Sequence, residues 1–127
     1  MSEPAKRSRL NKLFKSFTYA FDGLKVIWRQ EVNFRIHLVL GGLALLLGLV
    51  LRISRVELIC LVIMIALVLF AELVNSSLER LADMVQAEND ERIKVLKDIS
   101  AAAVLLLAIA ALLVGVFIFL PPILKLF

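Results

Sequence analysis

Near the middle of the chain, four side chains that could accept a proton or hold a hard cation fall in a row: Glu72, Asn75, Glu79 and Asp83. Spaced three, four and four residues apart, they project from one side of a helix. The residues before them, from Leu58 to Ala71, are apolar almost without a break. Glu72 and Asn75 therefore stand at or just inside the boundary of a membrane span. A carboxylate there is costly to keep, and an ionisable group inside a membrane points to function. The low-dielectric setting keeps water away and fits Glu72 to act as general base toward a hydroxyl presented from the bilayer. The competing use is structural, as a buried hydrogen-bonding anchor between helices.

Glu31, at the entrance of the first apolar run, puts a second carboxylate at the depth of Glu79. With the amide of Asn75 they make an all-oxygen donor set that suits Mg2+, which takes few carboxylates and completes its shell with waters and phosphate oxygens. Lys94, Lys97 and Asp98 open the third apolar run, with Lys94 and Asp98 four apart on one face. Lysines beside a carboxylate-held cation are what a polyphosphate requires, because they neutralise its bridging and terminal oxygens. Ordinary pairing of Glu31 with Arg29 or Arg35, and of Glu79 with Arg80 or Lys97, would use the same residues without chemistry, as would lysines snorkelling to headgroups. Their gathering at one depth favours a site. The five glycines spell neither GxxxxGK[ST] nor GxGxxG, so a nucleotide site here has to be built from helix side chains. His37 has no partner at ligand spacing and reads as packed or interfacial. Tyr19 and Trp28 read as interfacial anchors.

The elements that carry these residues follow from composition. Of 127 residues 61% are hydrophobic, the mean hydropathy is +0.94, and the apolar residues come in blocks about as long as a bilayer is thick. An all-α integral membrane protein is expected. The net charge of +4 sits at the N-terminus and beside the apolar blocks, which suits anionic headgroups rather than nucleic acid. Cys60 is the single cysteine and falls mid-block, which excludes a disulfide framework and metal-thiolate spacing. The first long apolar run begins only near Phe34, too late for the core of a signal peptide, so the N-terminus is expected to be retained.

Residues 1–8 read as a disordered basic tail and residues 9–127 as one membrane domain. From 9 to 31, Leu10, Leu13, Phe14, Phe17, Phe21, Leu24 and Trp28 recur every three or four positions opposite Lys12, Lys15, Asp22, Lys25 and Arg29. That pattern predicts an amphipathic helix lying in the headgroup region, with Gly23 as its weak point. Spans are expected at about 34–53, 56–75 and 99–120, the second continuing as helix through Asp83 and the third stopped by Pro121 and Pro122. The polar connection between the second and third spans is expected to break at Asn89–Asp90 and restart at Glu91 or Arg92. Twelve Lys/Arg lie before the first span, at its entrance or in the Arg80–Lys97 connection, against three in Arg52, Arg55 and Lys125. The positive-inside rule then puts the N-terminus and the second connection in the cytoplasm and the C-terminus outside.

Three segments together resemble a known family. They are GLKVIWRQEVNFRIH (Gly23 to His37), AELVNSSLERLADMV (Ala71 to Val85) and KVLKDISAAAVLL (Lys94 to Leu106). Their order and spacing, above all E-x-x-N-[ST]-x-x-E followed by KD at the start of the third span, resemble the small bacterial membrane lipid kinases, the prokaryotic diacylglycerol kinase and undecaprenol kinase family. The resemblance implies a homotrimer in the bacterial inner membrane, with active sites between subunits at the cytoplasmic interface. It also implies transfer of the ATP γ-phosphate to a lipid's primary hydroxyl. Glu72 looks like the general base, Glu31 and Glu79 like the Mg2+-bridging carboxylates, and Asn75 like a supporting polar group. Lys97 resembles the phosphate-contacting lysine, while Asp83 and Asp98 resemble residues lining the nucleotide pocket, with Lys94 beside them. Lys12, Lys15 and Tyr19 lie where the surface helix closes over that pocket. Many relatives have Asn-Thr-Ala or Asn-Ser-Ala in place of Asn75-Ser76-Ser77, and often a histidine in the connection where this chain has Gln86 to Arg92. The segment NFRIH is like the undecaprenol kinase branch, which favours undecaprenol over diacylglycerol as substrate. A reading from another class is a non-catalytic membrane scaffold or transport subunit that uses the same polar stripe as interhelical glue.

Overall fold

The computed structural model describes residues 3–85 and 90–126, with side chains from Arg9 onward. All regular structure among the described residues is helical: α1 (Glu3–Gln30), α2 (Val32–Val50), α3 (Arg55–Val85) and α4 (Glu91–Leu124). The chain divides into two units, residues 1–32 and 33–127.

The first unit is α1. It starts at Glu3, within the stretch expected to be without fold, because Pro4 falls in the first turn, where its missing N–H has no helical partner to lose. It also runs unbroken through Gly23, whose cost in one helix is small against a long continuous hydrogen-bond ladder. Its seven apolar-stripe residues are all exposed, from Leu24 at 42% to Phe14 at 71%. The hydroxyls of Ser16 and Thr18 donate back to the carbonyls of Lys12 (3.0 Å) and Phe14 (3.1 Å), so they ask nothing of the surroundings.

The second unit is an up-down-up set of three helices. Several of the buried positions stand at multiples of seven residues: Phe34, Gly41 and Gly48 on α2, Leu61, Val68 and Ala82 on α3, Val104 and Ile118 on α4. This is the interval of a seam between helices crossing at a shallow angle. At Gly41 a Cβ would lie 2.8 Å from Ile65 Cγ2, so α2 and α3 approach closer than any larger side chain permits. Only 11–17% of the most apolar window of each span is buried within the chain. A water-soluble bundle could not leave that much apolar surface open; three helices long and apolar enough to cross a bilayer can.

The α2–α3 turn is closed by local chemistry. Ile53 N–H donates to Gly48 O (3.1 Å) and Arg52 N–H to Leu49 O (3.2 Å), the paired bonds of a Schellman ending, with Arg52 left-handed at φ 52°. Ile53 then folds over Gly48, its Cδ1 2.8 Å from where a Cβ would stand. Ser54 and Glu57 form a reciprocal capping box that starts α3, at 2.7 and 3.3 Å.

One further helix end differs from expectation, the C-terminus of α4. α4 begins at Glu91, as the sequence predicts, with Asp90 as N-cap accepting from the Arg92 N–H at 2.9 Å; Gln86–Asn89 lie outside the described residues. It runs four residues past Leu120, through Pro121 and Pro122, to Leu124. A proline pair already has helical φ and here removes donors only within the closing turns, so it marks the approach of the end rather than the end itself. At 31 residues α3 is about 46 Å long. A hydrocarbon core needs about 30 Å, so one end of α3 stands beyond it.

Candidate active site

The expected stripe on α3 forms, and it grades from the interior outward. Glu72 is 3% exposed, Asn75 and Glu79 are half-buried, and the Asp83 side chain is 63% exposed. Helical periodicity puts them on one side, and packing against α2 and α4 decides how deep each lies. Ser76, between them, is 2% exposed. Ser77 is exposed and donates to the Leu73 carbonyl at 2.8 Å, clear of the site.

Three contacts tie the stripe to its neighbours. Asn75 Nδ2 donates to Glu79 Oε1 at 3.0 Å, and Ser100 Oγ of α4 lies 2.6 Å from Asn75 Oδ1. An ionised carboxylate can only accept, so the amide nitrogen must face Glu79 and the oxygen must face the hydroxyl. Ser100 Oγ is also 3.0 Å from the Lys97 carbonyl, and its one proton serves one partner at a time. Lys97 Nζ is paired with Asp83 Oδ1 across the α3–α4 seam. His37 Nε2 of α2 lies 3.2 Å from Glu72 Oε1.

That last contact corrects the expectation for His37, which has a partner after all: the carboxylate at the head of the stripe. No local spacing could reveal it, because the partner sits on another helix. Its signal lies in depth, since His37 and Glu72 stand at similar distances from the turn at Arg52–Ser54. Ser100, likewise not among the expected residues, bonds Asn75 from α4.

Among the remaining expected residues of the second unit, Lys94 and Asp98 take part in none of these contacts. Lys94 and Asp98 are exposed on α4. Lys12, Lys15 and Tyr19 are exposed on α1, in the other unit, where Lys25 pairs with Asp22 at 3.6 Å. Glu31, in that same unit, is half-buried at the one-residue break between α1 and α2, and its N–H donates to Ile27 O at 2.8 Å. Among the described residues, no three His, Cys, Asp or Glu side chains gather into a metal cage. Within the second unit, Glu79 and Asn75 supply hard oxygen atoms of the kind Mg2+ takes singly alongside water and phosphate.

From His37 an apolar groove of about 660 Å³ runs between α2, α3 and α4 past Gly41, Ala44, Ala111 and Gly115 toward Ile123. Small residues on two helices leave the space, and His37 is the one polar side chain that lines it. The unit thus combines an apolar groove that begins at His37, a buried carboxylate in contact with that histidine, and the Asp83–Lys97 pair further along the stripe.

Residues 18–119, most of the chain, match the family described as prokaryotic diacylglycerol kinase. The chain belongs to that family. As a family member it is an ATP-dependent membrane lipid kinase. It is 31% identical to the undecaprenol kinase of Bacillus subtilis over 115 residues, covering 91% of this chain and 94% of that one. It is 36% identical to a diacylglycerol kinase of Synechocystis over 115 residues, covering 90% of this chain and 66% of the relative. The diacylglycerol kinase of Escherichia coli is 29% identical over 102 residues, 80% of this chain and 84% of its own. The kinase family assignment accounts for a membrane protein that carries carboxylates and lysines at one end of its bundle, and it weighs against a non-catalytic scaffold.

Proposed function

We propose that this lipid kinase phosphorylates the primary hydroxyl of undecaprenol, with Glu72 as the general base. The observation that carries the reading is the burial of Glu72 in contact with His37, the one polar side chain at the start of the apolar groove by which a lipid hydroxyl would arrive from the bilayer. The Glu72 carboxylate takes the hydroxyl proton, the lipid oxygen forms its bond to the γ-phosphorus, and the bond to the β–γ bridging oxygen breaks to release ADP. Phosphoryl transfer asks little covalent chemistry of the protein, so positioning and charge neutralisation supply most of the rate.

Glu31 and Glu79 are the residues that would hold Mg2+, and Asn75 keeps the Glu79 carboxylate oriented. When bound, the ion supplies charge neutralisation on the β- and γ-phosphate oxygens. Lys97 exchanges its Asp83 partner for phosphate oxygens as ATP enters, which leaves Asp83 at the pocket rim with Lys94 and Asp98. Lys12, Lys15 and Tyr19 on α1 close over the nucleotide. The exposed apolar stripe of α1 lies in the headgroup layer, and the uncovered faces of α2, α3 and α4 meet lipid and two further copies in a homotrimer. The Lys/Arg distribution supports a bacterial inner-membrane orientation with the N-terminus and the α3–α4 connection in the cytoplasm.

Near-complete mutual coverage with the Bacillus subtilis undecaprenol kinase and the NFRIH segment favour the polyprenol. The higher identity to the Synechocystis diacylglycerol kinase favours the second reading, diacylglycerol as substrate. Glu72→Gln tests the shared mechanism. Loss of a general base typically costs about 100- to 10,000-fold in rate, with nucleotide binding retained. A Gln variant that turns over at near the wild-type rate would remove Glu72 from the base role.

A further inference from the structure

We propose that His37 is a positioning residue for phosphotransfer: from α2 it holds the Glu72 carboxylate toward the mouth of the apolar groove. This rests on the reading of Glu72 as base. Three observations support it together. His37 Nε2 is 3.2 Å from Glu72 Oε1, within reach of a hydrogen bond. The two side chains differ in setting, Glu72 at 4% exposure and His37 at 25%, so the imidazole stands between the buried carboxylate and more open space. And among the described residues His37 is the one polar side chain that lines the groove, so a hydroxyl moving along it meets His37, which in turn contacts Glu72.

The backbone makes the arrangement stiff. His37 and Gly41 are one turn apart on α2, and the close approach of Gly41 to Ile65 fixes the α2–α3 separation just below the pair. A glutamate has three rotatable bonds, and a contact from a neighbouring helix narrows the directions its carboxylate can take. Toward an ionised carboxylate, which only accepts, Nε2 carries the proton and donates. His37 acts through Glu72 and has no bond to make with the reacting phosphorus.

The test uses the full-length protein in mixed micelles with ATP, Mg2+ and either undecaprenol or diacylglycerol, and separates kcat from the KM for lipid. His37→Leu removes the donor at similar bulk. His37→Gln restores an amide nitrogen near the place of Nε2, and His37→Asn puts its amide near Nδ1, out of reach of Glu72. Hydrogen bonds to charged groups translate into a loss of kcat of about 10- to 100-fold for His37→Leu and His37→Asn. The KM for lipid changes little, and His37→Gln recovers most of the rate. A residue that merely fills space would show no such split between Gln and Asn. Should Leu fail to fold, the Gln and Asn variants still decide.

The proposal is overturned if Leu and Asn keep wild-type kcat, or if Gln falls as far as Asn in folded protein. Glu72→Gln run alongside separates the two readings. If it is inactive while the three His37 variants are alike, only the role of His37 falls; if it is active, the base reading falls and takes this one with it.

Discussion

Asn75 shows how much one side chain does at this site. Its amide bridges Glu79 on its own helix and Ser100 on α4, and each end of the amide fits only the partner it has. Asn75→Asp would set a second carboxylate against Glu79 where a donor now stands, so kcat should fall by about 10- to 100-fold. Ser100→Ala removes one donor and leaves the Asn75–Glu79 bond; a loss of about 1 kcal/mol in thermal unfolding in micelles is expected, with a smaller effect on rate. Lys97→Met should raise the KM for ATP more than it lowers kcat, because the proposed contact is with phosphate in ground and transition state alike. The stripe that holds Asn75 was legible from the chain, since three- and four-residue spacing is a local property of a helix. His37 and Ser100 were not, because their partners come from other helices and a single sequence carries no record of which faces meet. For the same reason Asp83 and Lys97 could each be read as facing nucleotide, while in the structure they face each other.

At the scale of elements, apolar runs and capping residues fix the helices, and the misreadings concern only where helices stop. Residues 1–8 read as a tail and the pair Pro121–Pro122 as a stop, yet Pro4 and that pair fall in terminal turns, where a proline removes few bonds. The α2–α3 turn offers a sharp test. Arg52 is left-handed at φ 52°, a conformation that costs an L-residue about 1–2 kcal/mol and a β-branched one more. Arg52→Val should therefore lower the unfolding midpoint, while Arg52→Gly should match or raise it. On α2 the adjacent glycines separate packing from propensity. A Cβ at Gly42 meets nothing within 4 Å and one at Gly41 meets Ile65, so Gly42→Ala should be neutral or stabilising. Gly41→Ala should be less stable than Gly42→Ala by about 1–3 kcal/mol. At the start of α4, the Arg92 side chain, then its backbone N–H, hold the Asp90 carboxyl below the ordinary aspartate range. A depressed value means that the cap contributes at neutral pH and is lost as pH falls through the lowered pKa. The amide shifts of Glu91–Lys94 should accordingly report a titration with its midpoint below that of an ordinary aspartate, and Asp90→Asn should abolish that titration while keeping a capping oxygen.

For the whole molecule, the membrane class was readable before any helix was placed, because blocks of apolar residues as long as a bilayer is thick have no use in a small soluble core. The structure adds the reason the blocks suffice: the helices bury little of themselves in one another and leave an apolar groove between them that begins at His37, the histidine in contact with the buried Glu72. Family membership makes the chain a lipid kinase, and the proposed role of Glu72 connects that reaction to the buried carboxylate. The most direct measurement is radiolabelled γ-phosphate transfer by the purified protein in mixed micelles, with undecaprenol and diacylglycerol offered separately and in competition in the presence of Mg2+. The account predicts label in the lipid fraction, with undecaprenol the preferred acceptor in competition. Preference for diacylglycerol would contradict the substrate assignment; no label in either lipid, from folded protein beside an active relative, would contradict the central claim.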